Sequence, residues 1–245
     1  MFSVKNLSKR FGGVKAVDHC AFEVLPHMIT ALIGPNGAGK STVFNIVSGV
    51  LAPDAGEVHF NGADITHKPA YRIARAGLSR MFQQSSLFSN LSVEENLLLA
   101  LDDKEEKYWQ NLVLGHSFSS EQKKQVREVL EMLSIAKKAQ SQARDLSFGQ
   151  KRLVELGRAL VKPHAMLMLD EPVAGVTPAV RREIAAVLKK LKTEGETVLL
   201  IEHDMNFTLS IADHVIVMDE GRVIAEGSPK KIKNDPKVLE AYLGE

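Results

Sequence analysis

Four apolar residues and one threonine, Ile29-Thr30-Ala31-Leu32-Ile33, run straight into Gly34-Pro35-Asn36-Gly37-Ala38-Gly39-Lys40-Ser41-Thr42. No other stretch of the chain restricts its fold as much. The run before the loop reads as a buried strand. The loop fits the pattern G-x-x-x-x-G-K-[ST], whose glycines let the backbone curl until its N–H groups converge on phosphate oxygens. Lys40 adds a point charge for the β- and γ-phosphates, and Ser41 offers a hydroxyl to Mg2+. Residues 40–48 read as a helix, and a helix N-terminus attracts an anion. This strand, loop and helix in succession are what separate a nucleotide site from a glycine-rich turn with a stray lysine.

The rest of the chain is consistent with one α/β fold. Its 245 residues can bury a full core, as one large domain or two small ones. The formal net charge of +1 supplies no global field to recruit nucleic acid or acidic lipid. Cys20 is the single cysteine, so no intrachain disulfide is possible, and its alternating surroundings make it a small core residue rather than a nucleophile. Lys5, Lys9 and Arg10 interrupt any apolar run at the N-terminus, and no stretch approaches the ~18 apolar residues of a membrane span. The expectation is a cytoplasmic protein whose membrane role, if any, comes through a partner.

Along the chain, roughly the first 65 residues are strand-rich, with turn signals at Gly12-Gly13, Pro53-Asp54-Ala55-Gly56 and Asn61-Gly62. From Val93 to about Leu133 the pattern becomes helical, and Asp102-Asp103-Lys104-Glu105-Glu106-Lys107 reads as a solvated face or loop. From Met166 onward apolar strands alternate with helices, as in a parallel sheet. Thr177-Pro178 opens one of these helices, with Thr177 as its N-cap, and Ile184, Val187, Leu188 and Leu191 form its apolar face. Residues 215–218 and 223–225 flank Asp219-Glu220-Gly221-Arg222 as a hairpin. The last 20 or so residues read as a small helical appendix.

Met166-Leu167-Met168-Leu169-Asp170-Glu171 is a buried strand ending in two acids, at the strand terminus where open α/β sheets bind ligands. Asp170 would hold Mg2+, directly or through water, and Glu171 would act as general base on the attacking water. Leu146-Ser147-Phe148-Gly149-Gln150 precedes this pair by about twenty residues. Together these motifs resemble the ATP-binding-cassette (ABC) ATPases, whose signature pentapeptide usually carries glycine where this chain has Phe148.

That resemblance implies further roles. Ser147 and Gly149, with Gln150 beside them, would contact the γ-phosphate of a nucleotide held by a second ATPase subunit, identical or homologous. Gln83 resembles the glutamine that senses Mg2+ and water; its neighbour Gln84 is the alternative. His203, in Ile201-Glu202-His203-Asp204, resembles the switch histidine that contacts the γ-phosphate, and Phe11 the aromatic that stacks on adenine. Thr177 departs from the family, which often carries aspartate or asparagine there to link the two nucleotide sites. The implied fold is a P-loop (RecA-like) core with an antiparallel β-subdomain, an inserted helical subdomain of about 84–160 and an appendix of about 226–245.

The resemblance narrows at Ala174-Gly175-Val176-Thr177-Pro178, Ile201-Glu202-His203-Asp204-Met205 and Ala241-Tyr242-Leu243-Gly244-Glu245, which look like the ATPases of branched-chain amino-acid importers. Relatives serving urea, other amino acids or lipopolysaccharide export share much of this pattern. It implies ATP and Mg2+ as ligands, integral membrane permease subunits as partners, a periplasmic or extracellular binding protein indirectly, and a peripheral place on the cytoplasmic membrane face. The apolar string Leu87, Phe88, Leu91 and Val93 would dock a permease helix. A soluble cassette acting on ribosomes or DNA would carry tandem cassettes, long insertions or basic arms, which this chain lacks. A regulator without turnover would not need both Glu171 and His203.

Overall fold

The structure, a computed structural model, describes residues 2–82, 87–101 and 118–243. It divides into two compact units. The first comprises Met1–Arg80, Ala165–Glu171 and Leu188–Glu245; the second comprises Met81–His164 and Pro172–Val187.

The chain opens with two long strands, β1 (Phe2–Phe11) and β2 (Val14–Val24), which pair antiparallel around the Gly12-Gly13 turn. Strand β3 (Ile29–Ile33) is buried at all five positions and leads to helix α1 (Lys40–Val47). Next come β4 (Ala55–Phe60) and the two-residue β5 (Ala63–Asp64). The turn expected at 53–56 is displaced, because Ala55 and Gly56 already belong to β4. Gly56 sits at φ 93°, where a Cβ would lie 2.4 Å from the Asn6 carbonyl oxygen, so strand β1 presses on it too closely for a side chain. The Asn61-Gly62 turn forms as expected, both residues having positive φ. These strands make a sheet in the order β2-β1-β4-β5.

Helix α2 (Ala70–Arg75) leads to β6 (Leu78–Met81), and in the second unit lie α3 (Val93–Leu101), α4 (Ser120–Met132) and α5 (Phe148–Leu160). Gly157 of α5 lets α3 and α4 approach: a Cβ there would meet Leu133 at 2.9 Å and Leu97 at 3.3 Å. The charged run 102–107 lies outside the described residues. Strand β7 (Met166–Asp170) is followed by α6 (Pro178–Thr193), β8 (Val198–Ile201), α7 (Met205–Ile211) and the hairpin β9 (His214–Asp219) and β10 (Arg222–Gly227). Two short helices close the described chain, α8 (Pro229–Lys233) and α9 (Pro236–Leu243). Thr177 Oγ1 accepts from the Val180 N–H at 3.5 Å, at the expected cap of α6.

The second sheet has the order β10-β9-β3-β8-β7-β6. Strands β9, β3, β8 and β7 run parallel. Leu32 pairs with Ile201, and Ile201 with Asp170, so one row of the sheet ends β3, β8 and β7 together. The segments that follow, carrying the glycine loop, His203 and Glu171, therefore leave the sheet at one edge. The core of this unit gathers Phe2, Leu7, Phe22, Leu32, Phe44, Ile73, Met168 and Ile216 with their neighbours. Cys20 belongs to it, fully buried, and burial pushes its thiol up to about 12.

Asp18 of β2 ties the first sheet to the β9–β10 turn. Its backbone N–H donates to Gly221, and its Oδ2 accepts from Arg222 Nη2 at 2.6 Å and Nε at 3.1 Å. The hydrogen bond from Arg222 holds the Asp18 carboxyl below its ordinary value of 3.8 against the opposing effect of desolvation, and Lys15 assists. A carboxyl lowered on folding stabilises fully above its unfolded value and loses that contribution as pH falls. Asp18→Asn is therefore expected to lower the melting temperature at about pH 7, and to flatten its decline below pH 3.8, as followed by circular dichroism.

Candidate functional site

The loop after β3 is held from both sides by backbone. A Cβ on Gly34, at φ 151°, would lie 2.0 Å from the Met218 carbonyl oxygen of β9. One on Gly39, at φ 95°, would lie 2.2 Å from the Ala16 carbonyl oxygen of β2. Gly221 N–H donates to the Ala38 carbonyl at 3.1 Å, pinning the loop to the β9–β10 turn. Gly37 also has a positive φ of 82° but faces open space. The loop's shape is thus imposed by its neighbours as well as by its own sequence.

Its helix is arranged to take an anion. Ser119, Ser147, Asp204 and Ser228 cap the N-termini of α4, α5, α7 and α8 with their side chains. Helix α1 has no such side-chain cap and no acid in its first turn. Its first N–H groups and the positive end of its dipole are directed to whatever sits in the loop. Lys40 is buried, and its ammonium donates to the Gly34 and Pro35 carbonyls at 2.7 and 2.8 Å, so the charge is folded into the loop itself. Ser41 is exposed at the first turn of the helix.

At the end of β7, Asp170 is buried and paired with Arg80 of β6, Nη2 to Oδ2, at 2.9 Å. Glu171 follows at φ 48°, a left-handed conformation that costs a non-glycine residue energy. Its N–H still bonds the Ile201 carbonyl at 3.0 Å, so the strand pairing holds the strained residue in place. Glu171 Oε1 lies 3.7 Å from Nδ1 of His203, which is 57 % exposed where Glu171 is 22 % exposed. Asp204, next in the chain, caps α7 and thereby fixes the turn that presents His203. Asp170, a buried carboxylate, and Ser41, an exposed hydroxyl, are each oxygen donors of the kind a hard divalent cation takes.

Phe11 ends β1 with 49 % of its surface exposed, and Lys9 Nζ stands 5.8 Å from its ring centroid. This large apolar ring on the surface is available for stacking. Gln83 and Gln84 lie outside the described residues.

In the second unit, Ser147 and Gln150 form a reciprocal capping box at the start of α5. Ser147 is exposed. Gly149 has a packing reason to be glycine, since a Cβ would lie 2.8 Å from Val180. Phe148, the departure from the usual glycine, is accommodated against Gly175, where a Cβ would meet its ring at 3.2 Å, and stays 60 % exposed.

Two arginines of consequence escape a motif search. Arg80 is the lone charge in the short strand Leu78-Ser79-Arg80-Met81, and burial of its side chain to 6 % exposure demands a partner. Arg152 of α5 donates to the Pro172 carbonyl at 3.3 Å and the Phe82 carbonyl at 3.4 Å, while Glu155 at 3.0 Å balances its charge. It thus grips the residue after Glu171 and the residue before Gln83. The only sequence-level signal for Arg152 is a charge on the apolar side of an amphipathic helix.

A family model described as ABC transporter matches residues 17–174. The chain belongs to the ABC transporter ATPases. The ABC fold expected from the sequence is the fold found, and a second model, described as branched-chain amino acid ATP-binding cassette transporter, matches residues 222–245. Over its whole length this ABC ATPase is 39 % identical to a probable branched-chain amino acid transport ATP-binding protein LivG of Archaeoglobus fulgidus, covering 95 % of that protein. It is 37 % identical to BraF of Pseudomonas aeruginosa, a high-affinity branched-chain amino acid transport ATP-binding protein, covering 98 % of it. Among solved structures it resembles a nucleotide-free ATP-binding cassette from an ABC transporter, with TM-score 0.88 and 37 % identity over 100 % of this chain and 99 % of that one. A dimeric cassette in a post-hydrolysis state bound to ADP and Pi gives TM-score 0.78 at 26 % identity, covering 94 % of this chain and 99 % of that one.

The glycine contacts rank the loop positions. A non-glycine residue in the left-handed region costs roughly 1–2 kcal/mol, which Gly37→Ala and Gly39→Ala share; only Gly39→Ala adds a collision with backbone. Gly39→Ala is expected to abolish ATP binding and lower the melting temperature by more than Gly37→Ala does, as measured by calorimetric titration and thermal unfolding.

Proposed function

We propose that this ABC ATPase powers import of branched-chain amino acids. It would do so as a peripheral subunit on the cytoplasmic membrane face, driving integral permeases fed by an extracytoplasmic binding protein. The cargo reading is supported by the naming of the relatives and by the branched-chain model at residues 222–245. Relatives for urea, other amino acids or lipopolysaccharide export remain the alternative cargo class, since the cargo is bound by other subunits. No helix among the described residues is long and apolar enough to cross a membrane.

The observation that carries the catalytic reading is the common sheet edge: one row of β3, β8 and β7 brings the phosphate loop, His203 and the Asp170-Glu171 pair together. Residues 34–42 cradle the phosphates through the loop N–H groups and the start of α1. Lys40 exchanges its bonds to the Gly34 and Pro35 carbonyls for β- and γ-phosphate oxygens. Phe11 stacks on the adenine. Ser41, Asp170 and Gln83 would hold Mg2+, which when bound neutralises charge on the phosphate oxygens. Glu171 takes the proton of the attacking water, its strained backbone aiming the carboxylate, and His203 beside it contacts the γ-phosphate.

Ser147, Gly149 and Gln150 act on the nucleotide of a second ATPase subunit, the exposed start of α5 offering a hydroxyl, bare backbone and helix dipole. The inserted helical subdomain, about 84–160, transmits closure to the permease. Part of the apolar string offered for that docking is committed elsewhere: Val93 is fully buried, whereas Phe88 is 51 % exposed with Arg158 5.8 Å from its ring centroid. Phe88 is therefore the stronger contact. Thr177 keeps the cap of α6 but not the carboxylate or amide that links the two sites in relatives, so the sites would turn over with more independence.

Glu171→Gln keeps the phosphate cradle and removes the base. It is expected to bind ATP, to accumulate as an ATP-bound dimer in light scattering, and to hydrolyse roughly 10²–10⁴-fold more slowly. Lys40→Ala should weaken ATP binding itself. Wild-type turnover by Glu171→Gln would remove Glu171 from this role, and an unchanged ATP affinity in Lys40→Ala would remove the lysine from the phosphates.

A further inference from the structure

We propose that Arg80 is a positioning residue for the divalent cation: it sets where the Asp170 carboxylate stands relative to the helix that carries Ser41. The inference rests on the reading of Asp170 and Ser41 as cation ligands and adds a residue to that site.

The two ends of the guanidinium reach two different elements. Nη2 binds Asp170 Oδ2 at 2.9 Å. Nη1 donates to three acceptors at the far end of α1: the Phe44 carbonyl at 3.2 Å, Asn45 Oδ1 at 2.9 Å and Ser48 Oγ at 2.6 Å. Ser48 Oγ in turn donates to the Phe44 carbonyl at 2.7 Å, so the acceptors are themselves fixed. Phe44 lies beneath the guanidinium, its ring centroid 5.7 Å from Cζ. A cation at this end of α1 also meets the negative end of the helix dipole.

The helix gripped by Nη1 is the one whose first turn holds Lys40 and Ser41. The strand gripped by Nη2 ends in Asp170. One rigid, buried fork therefore sets the separation of the serine hydroxyl and the aspartate carboxylate. Mg2+ demands near-ideal octahedral geometry at about 2.0–2.1 Å from its ligands, so a donor pair held at the wrong separation binds it poorly. Groups that orient a metal ligand typically change metal affinity by about 10–100-fold when altered. A lysine at position 80 would keep the charge but has a single head group and cannot bridge both elements in the same way.

The test measures binding of a fluorescent ATP analogue by the full chain, in EDTA and at saturating Mg2+, and takes the ratio of the two Kd values. Arg80→Lys is expected to bind in EDTA within about twofold of the unaltered chain while its Mg2+ ratio falls by on the order of tenfold. Asn45→Ala, which removes one acceptor at a half-buried position, should lower the ratio by less. A folded Arg80→Lys protein with an unchanged ratio would overturn the proposal. If Arg80→Lys does not fold, an unchanged ratio in Asn45→Ala overturns it instead. Asp170→Asn separates the two levels of the argument. If the ratio survives in Asp170→Asn, or if Mg2+ tightens nothing in the unaltered chain, the cation reading itself fails. If the ratio is lost in Asp170→Asn but kept in Arg80→Lys, only the role of Arg80 fails.

Discussion

The candidate site depends first on a steric constraint: the phosphate loop is wedged between two backbone carbonyls. Met218 of β9 stands where Gly34 would need a Cβ, and Ala16 of β2 where Gly39 would. Both glycines are required by their neighbours, so the loop adopts one curl before any ligand arrives. Binding then need not order it, which removes part of the entropic cost of association. The uncapped start of α1 gains directly from this. Its N–H groups are held in place, and no side chain of its own sequence competes for them.

A second requirement is that buried charge be balanced within the protein. Lys40 is held by loop carbonyls, Asp170 by Arg80, and Asp18 by Arg222. A buried charge stripped of its partner is strongly destabilising, so each of these pairs constrains geometry whatever its net contribution to stability. In the second unit Arg152 and Glu155 make the same kind of pair, and Arg152 spends its remaining donors on the carbonyls of Phe82 and Pro172. Glu171 is the opposite case. There the backbone is strained rather than relaxed, and the pairing of its N–H with Ile201 keeps it so.

The features legible in the sequence were those written in contiguous residues. Residues 34–42 state the loop directly, and an apolar run ending in Asp170-Glu171 states the acid pair. The parallel strands from Met166 onward, the hairpin at 219–222 and the cap at Thr177 were legible for the same reason: local propensity and tertiary environment agree there. What stayed hidden depends on partners far apart in sequence. Arg80 meets Asp170 ninety residues away, and an arginine in a short strand gives no hint of which carboxylate it will find. The displacement of the turn at 53–56 goes with the pairing of β4 to β1, where Ala55 stands opposite Ser8, a partner that no local window contains. Phe148 stood out as a departure from a pattern, but its resting place against Gly175 is a tertiary fact. Gln83, preferred over Gln84 for its place after the aromatic Phe82, lies like Gln84 outside the described residues.

The central claim is that the wedged loop and the uncapped start of α1 bind nucleotide by its phosphates, with base stacking on Phe11 secondary. Calorimetric titration of the unaltered chain with ATP, ADP, AMP and adenosine tests this most directly. Several charge-assisted hydrogen bonds, each contributing about 1.5–3 kcal/mol, separate the first two ligands from the last two. ATP and ADP should therefore bind at least about 100-fold more tightly than AMP and adenosine. Adenosine binding as tightly as ATP would contradict the account, because the affinity would then reside in the base and not in the loop.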